Sequence, residues 1–85
     1  MEPEIARHLG YSEDEKGVVV IQVESGSKGE LAGIQQGDVI KEINRRPVST
    51  PKEVKKQMEK VKSGDTVQML LKRANAGLLV VKVPV

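Results

Sequence analysis

The stretch LAGIQQGDVIKEINRRPV, residues 31–48, decides the fold that the sequence predicts. A short helical turn is expected to end at Gly33, because glycine readily adopts the left-handed conformation that terminates helices. Gly37 then turns the chain tightly, and the side chain of Asp38 can accept hydrogen bonds from neighbouring backbone amides. We therefore expect these three residues to be structural. The apolar anchors of the turn are Leu31 and Ile34.

Three segments downstream of the two glycines predict strands. Residues 39–43 form a short strand, and Pro47 excludes a central strand directly after it. Residues 66–73 and 78–85 each alternate apolar and other side chains, which is typical of strands with one buried face. The small and polar residues 74–77 lie between them, so the two segments form an antiparallel hairpin. Its inward residues are Val67, Met69, Leu71, Leu79, Val81 and Val83.

A charged helix is predicted between these strands. Ser49 or Thr50 caps it, and Val54, Met58 and Val61 recur at i, i+4 and i+7 to form one apolar stripe. Such a stripe is more often part of a core than a ligand site. A core stripe that also faces a binding groove is the alternative.

Upstream of residue 31 the pattern predicts a helix, a strand and a second, shorter helix. Residues 3–9 form a helix with a proline near its start and Gly10 as its stop. Residues 17–23 are apolar on both alternating faces, which predicts a strand buried from both sides. The loop at residues 25–27 caps a short helix through Ala32. The predicted order is therefore α, β, α, β, α, β, β.

Composition limits the possible functions. The chain has 85 residues, of which 38% are apolar, and it contains one aromatic residue, Tyr11, one histidine and no cysteine. Residues 1–85 therefore form one domain with an aliphatic core, without disulfides, thiolate metal sites or a cysteine nucleophile. No apolar run approaches the roughly 18 residues of a membrane span, and no leader peptide opens the chain. We expect no cofactor and no membrane insertion by this domain.

The motifs for catalysis, metal binding and nucleic acids are weak. His8 is the only histidine and no serine lies in a nucleophile elbow, so a hydrolytic triad is not expected. The acidic run of residues 13–15 lacks the alternating spacing of a calcium loop, which favours a solvated turn. The GSKG of residues 26–29 matches the GxxG of KH domains, but it follows a strand instead of joining two helices. We predict no catalytic residue, no metal ligand and no nucleic-acid partner.

Positive charge concentrates in one part of a nearly balanced chain. The net charge is +2, which is too small for a general polyanion binder. Residues 45–62 nevertheless hold seven basic residues and two acidic ones, an excess of five positive charges. The ordinary interpretation is a solvated helix face, and the alternative is a surface that meets an anionic partner.

Four motifs in order make the chain resemble a PDZ domain of the bacterial kind. They are SGS (25–27), LAGI (31–34), GDVI (37–40) and INRRPV (43–48), and the resemblance covers roughly residues 3–84. The opening PEIARHLG (3–10) ahead of GVVV (17–20) is similar to the Do/HtrA, or DegP-like, serine proteases. The terminal LLVVKVP (78–84) is most similar to the last PDZ domain of such a protease. The implied fold is α+β, a small antiparallel sheet or partial barrel with one main helix and one or two short helices.

The sequence departs from that family at several positions. Residues 28–30 are KGE where relatives often have Pro-Ala-Ala, and Arg45 follows the asparagine where glycine is usual. If position 45 keeps a positive φ, arginine costs about 1 kcal/mol there. In the family, the carboxylate-binding loop and the strand that pairs with a peptide precede the first helix. HLGY (8–11) superficially resembles such a loop, but only five polar residues separate it from the next strand. We therefore predict that HLGY is a decoy, that is, a segment that does not bind a carboxylate. We expect the chain to be a fragment of a longer multidomain protein that lacks half of the ligand groove.

The resemblance implies a peptide-binding module that recognises C-terminal or unfolded protein segments for an envelope serine protease, with no catalysis in this chain. The protease domain of its own parent is the other implied partner, and the implied location is the periplasm or cell envelope. The alternatives are a PDZ domain of a site-2 metalloprotease or carboxyl-terminal processing protease, or a scaffold or secretion PDZ domain. The predicted helix wall of the groove consists of Val54, Lys55, Met58, Glu59, Val61 and Lys62.

Overall fold

One antiparallel sheet and three helices make up the computed structural model, which describes residues 3–12, 14–74 and 76–85. Glu13 of the predicted acidic turn and Asn75 of the predicted hairpin turn lie outside these ranges. The helices are α1 (Pro3–His8), α2 (Lys28–Ala32) and α3 (Pro51–Glu59). The strands are β1 (Val18–Val19), β2 (Val39–Ile43), β3 (Arg46–Pro47), β4 (Thr66–Arg73) and β5 (Gly77–Pro84). The element order agrees with the sequence prediction, apart from the added short strand β3.

The sheet runs in the order β1-β2-β4-β5, and β3 pairs with β2. The hairpin β4–β5 is its longest pairing, with Val67 opposite Val83 and Leu71 opposite Leu79. This confirms the predicted hairpin. Because side chains alternate across a strand, the pairing puts the predicted inward residues on one face.

The core is aliphatic, as predicted, and lies on one face of the sheet. Ile43, Val67 and Leu71 are fully buried at its centre. The cluster continues through Ile40, Val48, Met69, Val81 and Val83. A smaller cluster of Ala6, Tyr11 and Val39 is separate from this core and joins α1 to β2. Each large apolar side chain that is fully buried contributes about 1.5–3 kcal/mol toward folding.

Helix α1 ends as the sequence predicts. Gly10 has φ +87°, and its N–H donates to the Arg7 carbonyl at 3.1 Å. The N–H of Tyr11 reaches back to the Ala6 carbonyl at 2.8 Å. These two bonds form a Schellman cap, which satisfies the Ala6 and Arg7 carbonyls and turns the chain.

The predicted caps of the other two helices are present. The Ser27 hydroxyl accepts from the Glu30 N–H, and the Thr50 hydroxyl accepts from the Glu53 N–H, both at 3.2 Å. One prediction for α2 is wrong, however. Leu31 is 80% exposed and anchors nothing, whereas Ile34 and Ala32 pack against the core. A five-residue helix offers only one narrow face, and Ala32 occupies it.

Residues 17–23 also differ from the prediction of a strand buried from both sides. The strand β1 covers only Val18–Val19, which are half-buried, and Ile21 is 74% exposed. Within the described residues, β1 has β2 as its single neighbour and forms an edge of the sheet. The apolar pattern indicated two faces suited to burial. Burial of both faces requires elements packed above and below the sheet, and Ile21 has no such cover.

The turn between β2 and β3 is strained in the way the sequence suggests. Asn44 has φ +50° and Arg45 has φ +68°, so both central residues of the hairpin turn are left-handed. This is the geometry of a two-residue type I′ turn, which favours Asn-Gly. Arg45 occupies the position that glycine would fill without cost, and its side chain is exposed.

A buried ion pair fixes the ends of β2 and β4. Asp38 is 1% exposed, and Arg73 donates to its two carboxylate oxygens from Nε and Nη2, each at 2.9 Å. The Gln35 N–H donates to the same carboxylate at 2.9 Å. Burial acts to raise the pKa of Asp38, but the hydrogen bonds from Arg73 and Gln35 more than offset it and hold the pKa below its ordinary value.

A second acidic group supports the neighbouring backbone. Glu15 pairs with Lys41 and Lys72, and the hydrogen bonds from these two lysines, Lys41 foremost, lower the pKa of its carboxyl. The segment before β1 is thereby tied to both β2 and β4. The sequence showed an acidic turn at this point but not its basic partners.

We predict that acid destabilises the fold through Asp38. A carboxyl with a depressed native pKa contributes stability above its unfolded pKa of about 3.9, and this contribution is lost as the pH falls through the lower native value. Asp38→Asn should lower the free energy of unfolding at pH 7 by about 2–4 kcal/mol, because it removes one partner of a buried pair. It should also flatten the loss of stability below pH about 4.

Denaturant unfolding of both proteins between neutral and acidic pH checks this prediction. Glu59→Gln is the control, because Glu59 is exposed and the change should stay within about 0.5 kcal/mol. Parallel acid profiles for the native chain and Asp38→Asn would contradict the assignment.

Candidate functional site

The predicted helix wall is partly assembled on α3. Val54 and Met58 are half-buried and pack against the main core, while Lys55 and Glu59 are exposed on the same helix. Pro51 stands in the first turn after the Thr50 cap. The apolar stripe therefore belongs to the core, as its pattern favours, but it remains partly open to solvent.

The last two predicted wall residues lie beyond the helix. α3 ends at Glu59, and the N–H of Val61 bonds the Met58 carbonyl at 3.1 Å in a tighter, three-residue step. Val61 still packs against the core. The N–H of Lys62 donates to Asp65 Oδ2 at 3.0 Å, which turns the chain toward β4. The i+7 spacing extended the helix too far because this turn competes with its last residues.

A second part of the candidate site is the outer edge of β1. Val20 donates to the Asp38 carbonyl and accepts from the Gly37 N–H, both at 2.7 Å, so its polar backbone faces β2. Alternation then turns the N–H and C=O of Val19 and Ile21 away from β2. Within the described residues no strand pairs with this edge. It can accept an added strand.

An apolar cavity of about 290 Å³ adjoins the edge on the side of the main core. Val20 and Val23 of the extended segment line it, together with Ile34. Ile40 and Met69 of the sheet form its floor. Sequence reasoning missed this cavity, since it treated the same side chains as filled core.

A larger cavity of about 430 Å³ lies beside α1. Its apolar wall consists of Ile5 and Leu9 from the helix region and Val19 and Ile21 from the extended segment. Ile5 is 39% exposed, so the cavity opens to solvent. The two cavities flank the 19–23 segment, and each takes side chains from it.

The HLGY stretch lacks the donors that a carboxylate needs. The N–H groups of Leu9, Gly10 and Tyr11 all donate to carbonyls of α1. The Tyr11 hydroxyl lies 2.7 Å from the Lys72 carbonyl and 2.9 Å from the Gly37 carbonyl. Burial raises the pKa of this phenol, and the Asp38 carboxylate adds to the effect. The geometry supports the prediction of a decoy, because these N–H groups are already used as a helix cap.

The described residues meet neither the requirements of a metal site nor those of a membrane-spanning helix. No three histidine, cysteine, aspartate or glutamate side chains there converge on a possible metal position. No described helix combines the length and the apolar character needed to cross a bilayer. His8 is exposed on α1.

The described structure combines an open, partly apolar sheet edge with a capped basic helix. A profile of the PDZ domain family matches residues 9–85. The chain belongs to the PDZ domain family. The sequence-based resemblance and its α+β fold class are thereby confirmed.

Relatives of this PDZ domain are long proteins. The chain is 37% identical over 71 residues to a probable periplasmic serine endoprotease DegP-like of Rhizobium meliloti (strain 1021), a match covering 84% of the chain. It is 34% identical over 68 residues to a protein of the same name from Chlamydia muridarum (strain MoPn / Nigg), a match covering 80% of the chain. The chain spans 14% of the length of each relative.

A solved structure has the same fold. It is that of an HtrA-type protease AlgW with decapeptide, and it superposes with a TM-score of 0.87 at 24% identity. The superposition covers 99% of this PDZ domain and 25% of the AlgW chain. The comparison therefore extends the fold assignment over nearly the whole chain.

We predict that α3 tolerates a new negative charge poorly on its core-facing side and well on its exposed side. Val54→Asp should lower the free energy of unfolding by roughly 1–3 kcal/mol, because the carboxylate would enter a half-buried apolar contact. Lys56→Asp places the same side chain on the exposed face and should cost less than about 1 kcal/mol. Thermal and denaturant melts of the two variants give the comparison. Equal losses would mean that Val54 does not face the core.

Proposed function

We propose that this PDZ domain binds extended polypeptide, either protein C-termini or unfolded segments, for a serine protease of the HtrA type. The observation that carries the proposal is the unpaired outer edge of β1 beside an apolar cavity. In the extended protein the upstream strand of the parent pairs with this edge. The outer edge of that strand then forms main-chain hydrogen bonds with the peptide, and alternate peptide side chains enter pockets along it. A peptide ligand for this domain is consistent with the AlgW structure, which was solved with a decapeptide.

The helix wall contributes side-chain contacts in this proposal. Val54 and Met58, which pack on the same core as Val18 and Val20 of the edge, form the apolar surface of this wall. Val61 extends that surface past the helix end. Lys55, Glu59 and Lys62 are exposed and form its rim. The rim charges select among peptides, and the apolar residues supply the affinity.

In this proposal the longer protein supplies the protease domain. The relatives are named as periplasmic serine endoproteases, so we place the parent in the periplasm or cell envelope and its peptide-bond chemistry in a domain outside this chain. This chain performs no catalysis in that arrangement, and the protease domain of the parent is its second partner. The relatives favour this parent over the metalloprotease, processing-protease and scaffold alternatives.

We predict that the 85-residue chain binds C-terminal peptides poorly and that an extended version binds them well. A carboxylate requires converging backbone N–H groups, and those of residues 9–11 are occupied within α1. Adding roughly 10–15 upstream residues of the parent would supply a loop and a strand. Each charge-assisted hydrogen bond gained, at about 1.5–3 kcal/mol, should improve affinity at least tenfold.

Titration of one peptide library against both versions, followed by NMR chemical shifts, measures the difference. Larger shifts and tighter binding in the extended version would support the proposed site. Equal affinity, with shifts centred on residues 9–11, would place the carboxylate site in the loop described above as a decoy.

We also predict that the basic surface favours acidic peptides. Residues 45–62 carry an excess of five positive charges, and their seven lysines and arginines are all exposed. Affinity of the extended protein for an acidic peptide should fall with salt, because exposed charge pairs are screened. Lys55→Glu with Lys62→Glu should weaken binding several-fold and reduce the salt dependence. Unchanged affinity at low and high salt in both proteins would exclude a role for this surface.

A further inference from the structure

The open edge formed by β1 and by residues 20–23, which follow it, lacks the features that normally protect an edge strand. Residues 18–23, VVVIQV, contain no charge and no proline. Natural edge strands commonly carry a lysine, a proline or a bulge that prevents pairing with another chain. Ile21 is 74% exposed in the middle of this segment. The edge is therefore suited to a second strand of similar character.

The direction of the backbone groups limits how a partner strand can pair. The N–H and C=O of Val20 are used by Asp38 and Gly37, so those of Val19 and Ile21 face outward. The N–H of Ile21 has no hydrogen-bond partner among the described residues. In an antiparallel pair, a residue whose N–H and C=O face outward must lie opposite a partner residue whose N–H and C=O also face outward, so that the two can exchange hydrogen bonds. For two copies of this edge, the two-fold axis can then pass through Val19, Val20 or Ile21.

Charge selects one of these three registers. Lys16 and Glu24 flank the apolar segment, both are exposed, and neither forms an ion pair with another described residue. With residues 16–24 extended along the partner, only the register centred on Val20 places Lys16 of each copy opposite Glu24 of the other. In that register Val19 also lies opposite Ile21, as a pair of β-branched residues. Opposite charges and β-branched pairs are the cross-strand contacts that stabilise sheets.

We propose that this 85-residue chain forms a two-fold dimer by antiparallel pairing of the open edges of two copies, centred on Val20. The edge is self-complementary, as a two-fold contact requires: the residue at each position meets its partner from the other copy. The dimer joins two sheets into one and covers part of Ile21. The pairing uses few hydrogen bonds and little area, so it is weak and dissociates on dilution.

This inference is independent of the proposed peptide function. If a longer protein donates its own strand to the edge, that strand and the second copy compete for the same backbone groups. The dimer is then confined to the shorter chain, and peptide binding by the extended protein is unaffected by its presence or absence.

Sedimentation equilibrium of the 85-residue chain, up to about 1 mM, measures the self-association. We expect a monomer–dimer equilibrium that Lys16→Glu or Glu24→Lys weakens by about tenfold or more, because each change replaces two attractive pairs with two repulsive ones. The decisive sample is an equal mixture of the two variants. One variant has glutamate at both flanking positions and the other has lysine at both, so each flanking pair between them is attractive and a heterodimer should form.

A matched pair of variants controls for net charge. Lys56→Glu and Glu59→Lys make the same charge changes on exposed residues of α3, outside residues 16–24. Each should dimerise like the unchanged chain, and mixing them should add nothing. Circular dichroism and melting confirm that all variants fold, and the Ile21 amide should gain hydrogen-exchange protection with concentration.

A monomer throughout the concentration range would overturn the proposal. So would a dimer that both edge variants leave unchanged, since another surface would then hold it. A dimer that weakens in each variant but does not recover in the mixture would reject the Val20-centred register.

Discussion

The buried carboxylate of Asp38 is the constraint on which the rest of the structure depends. Arg73 reaches it from the end of β4 with a two-point hydrogen bond, and the same guanidinium donates to the Gly33 carbonyl at 2.9 Å. One side chain thereby fixes the exit from α2, the start of β2 and the end of β4. Tyr11 adds α1 to this group through the Lys72 and Gly37 carbonyls. A buried charge is stable only when its partners are held in place, so the pair enforces the arrangement of these elements.

The firmly held half of the domain contrasts with its open half. The β4–β5 hairpin and β2 enclose the aliphatic core. On the other side, β1 has only two strand residues, and α3 contributes half-buried Val54 and Met58. Apolar surface that is left partly exposed next to unsatisfied backbone groups favours association with another strand. The upstream strand of a longer protein and a second copy of this chain therefore compete for the same open edge.

The positive charge of the domain has a structural basis as well as a proposed binding role. The first acidic residue of α3 is engaged in its cap, where Glu53 accepts from Ser49 and Thr50, and the hydrogen bond from Ser49 foremost lowers the pKa of its carboxyl. The lysines of the helix extend into solvent without comparable partners in the described structure. This leaves the helix with a cationic outer surface while its first turn remains well capped.

The sequence by itself determined the local elements, because caps, glycine stops and alternation act between residues close in the chain. Ser27, Thr50 and Gly10 function as their types predict. The hairpin followed from spacing, and the aliphatic core followed from composition. Only the tertiary structure decided which elements meet. An apolar run such as residues 17–23 indicates that both faces of a strand can be buried. Whether they are buried depends on packing partners that lie far along the chain. The partner of Asp38, 35 positions away, and the exposure of Ile21 were decided in the same way, by packing between distant segments.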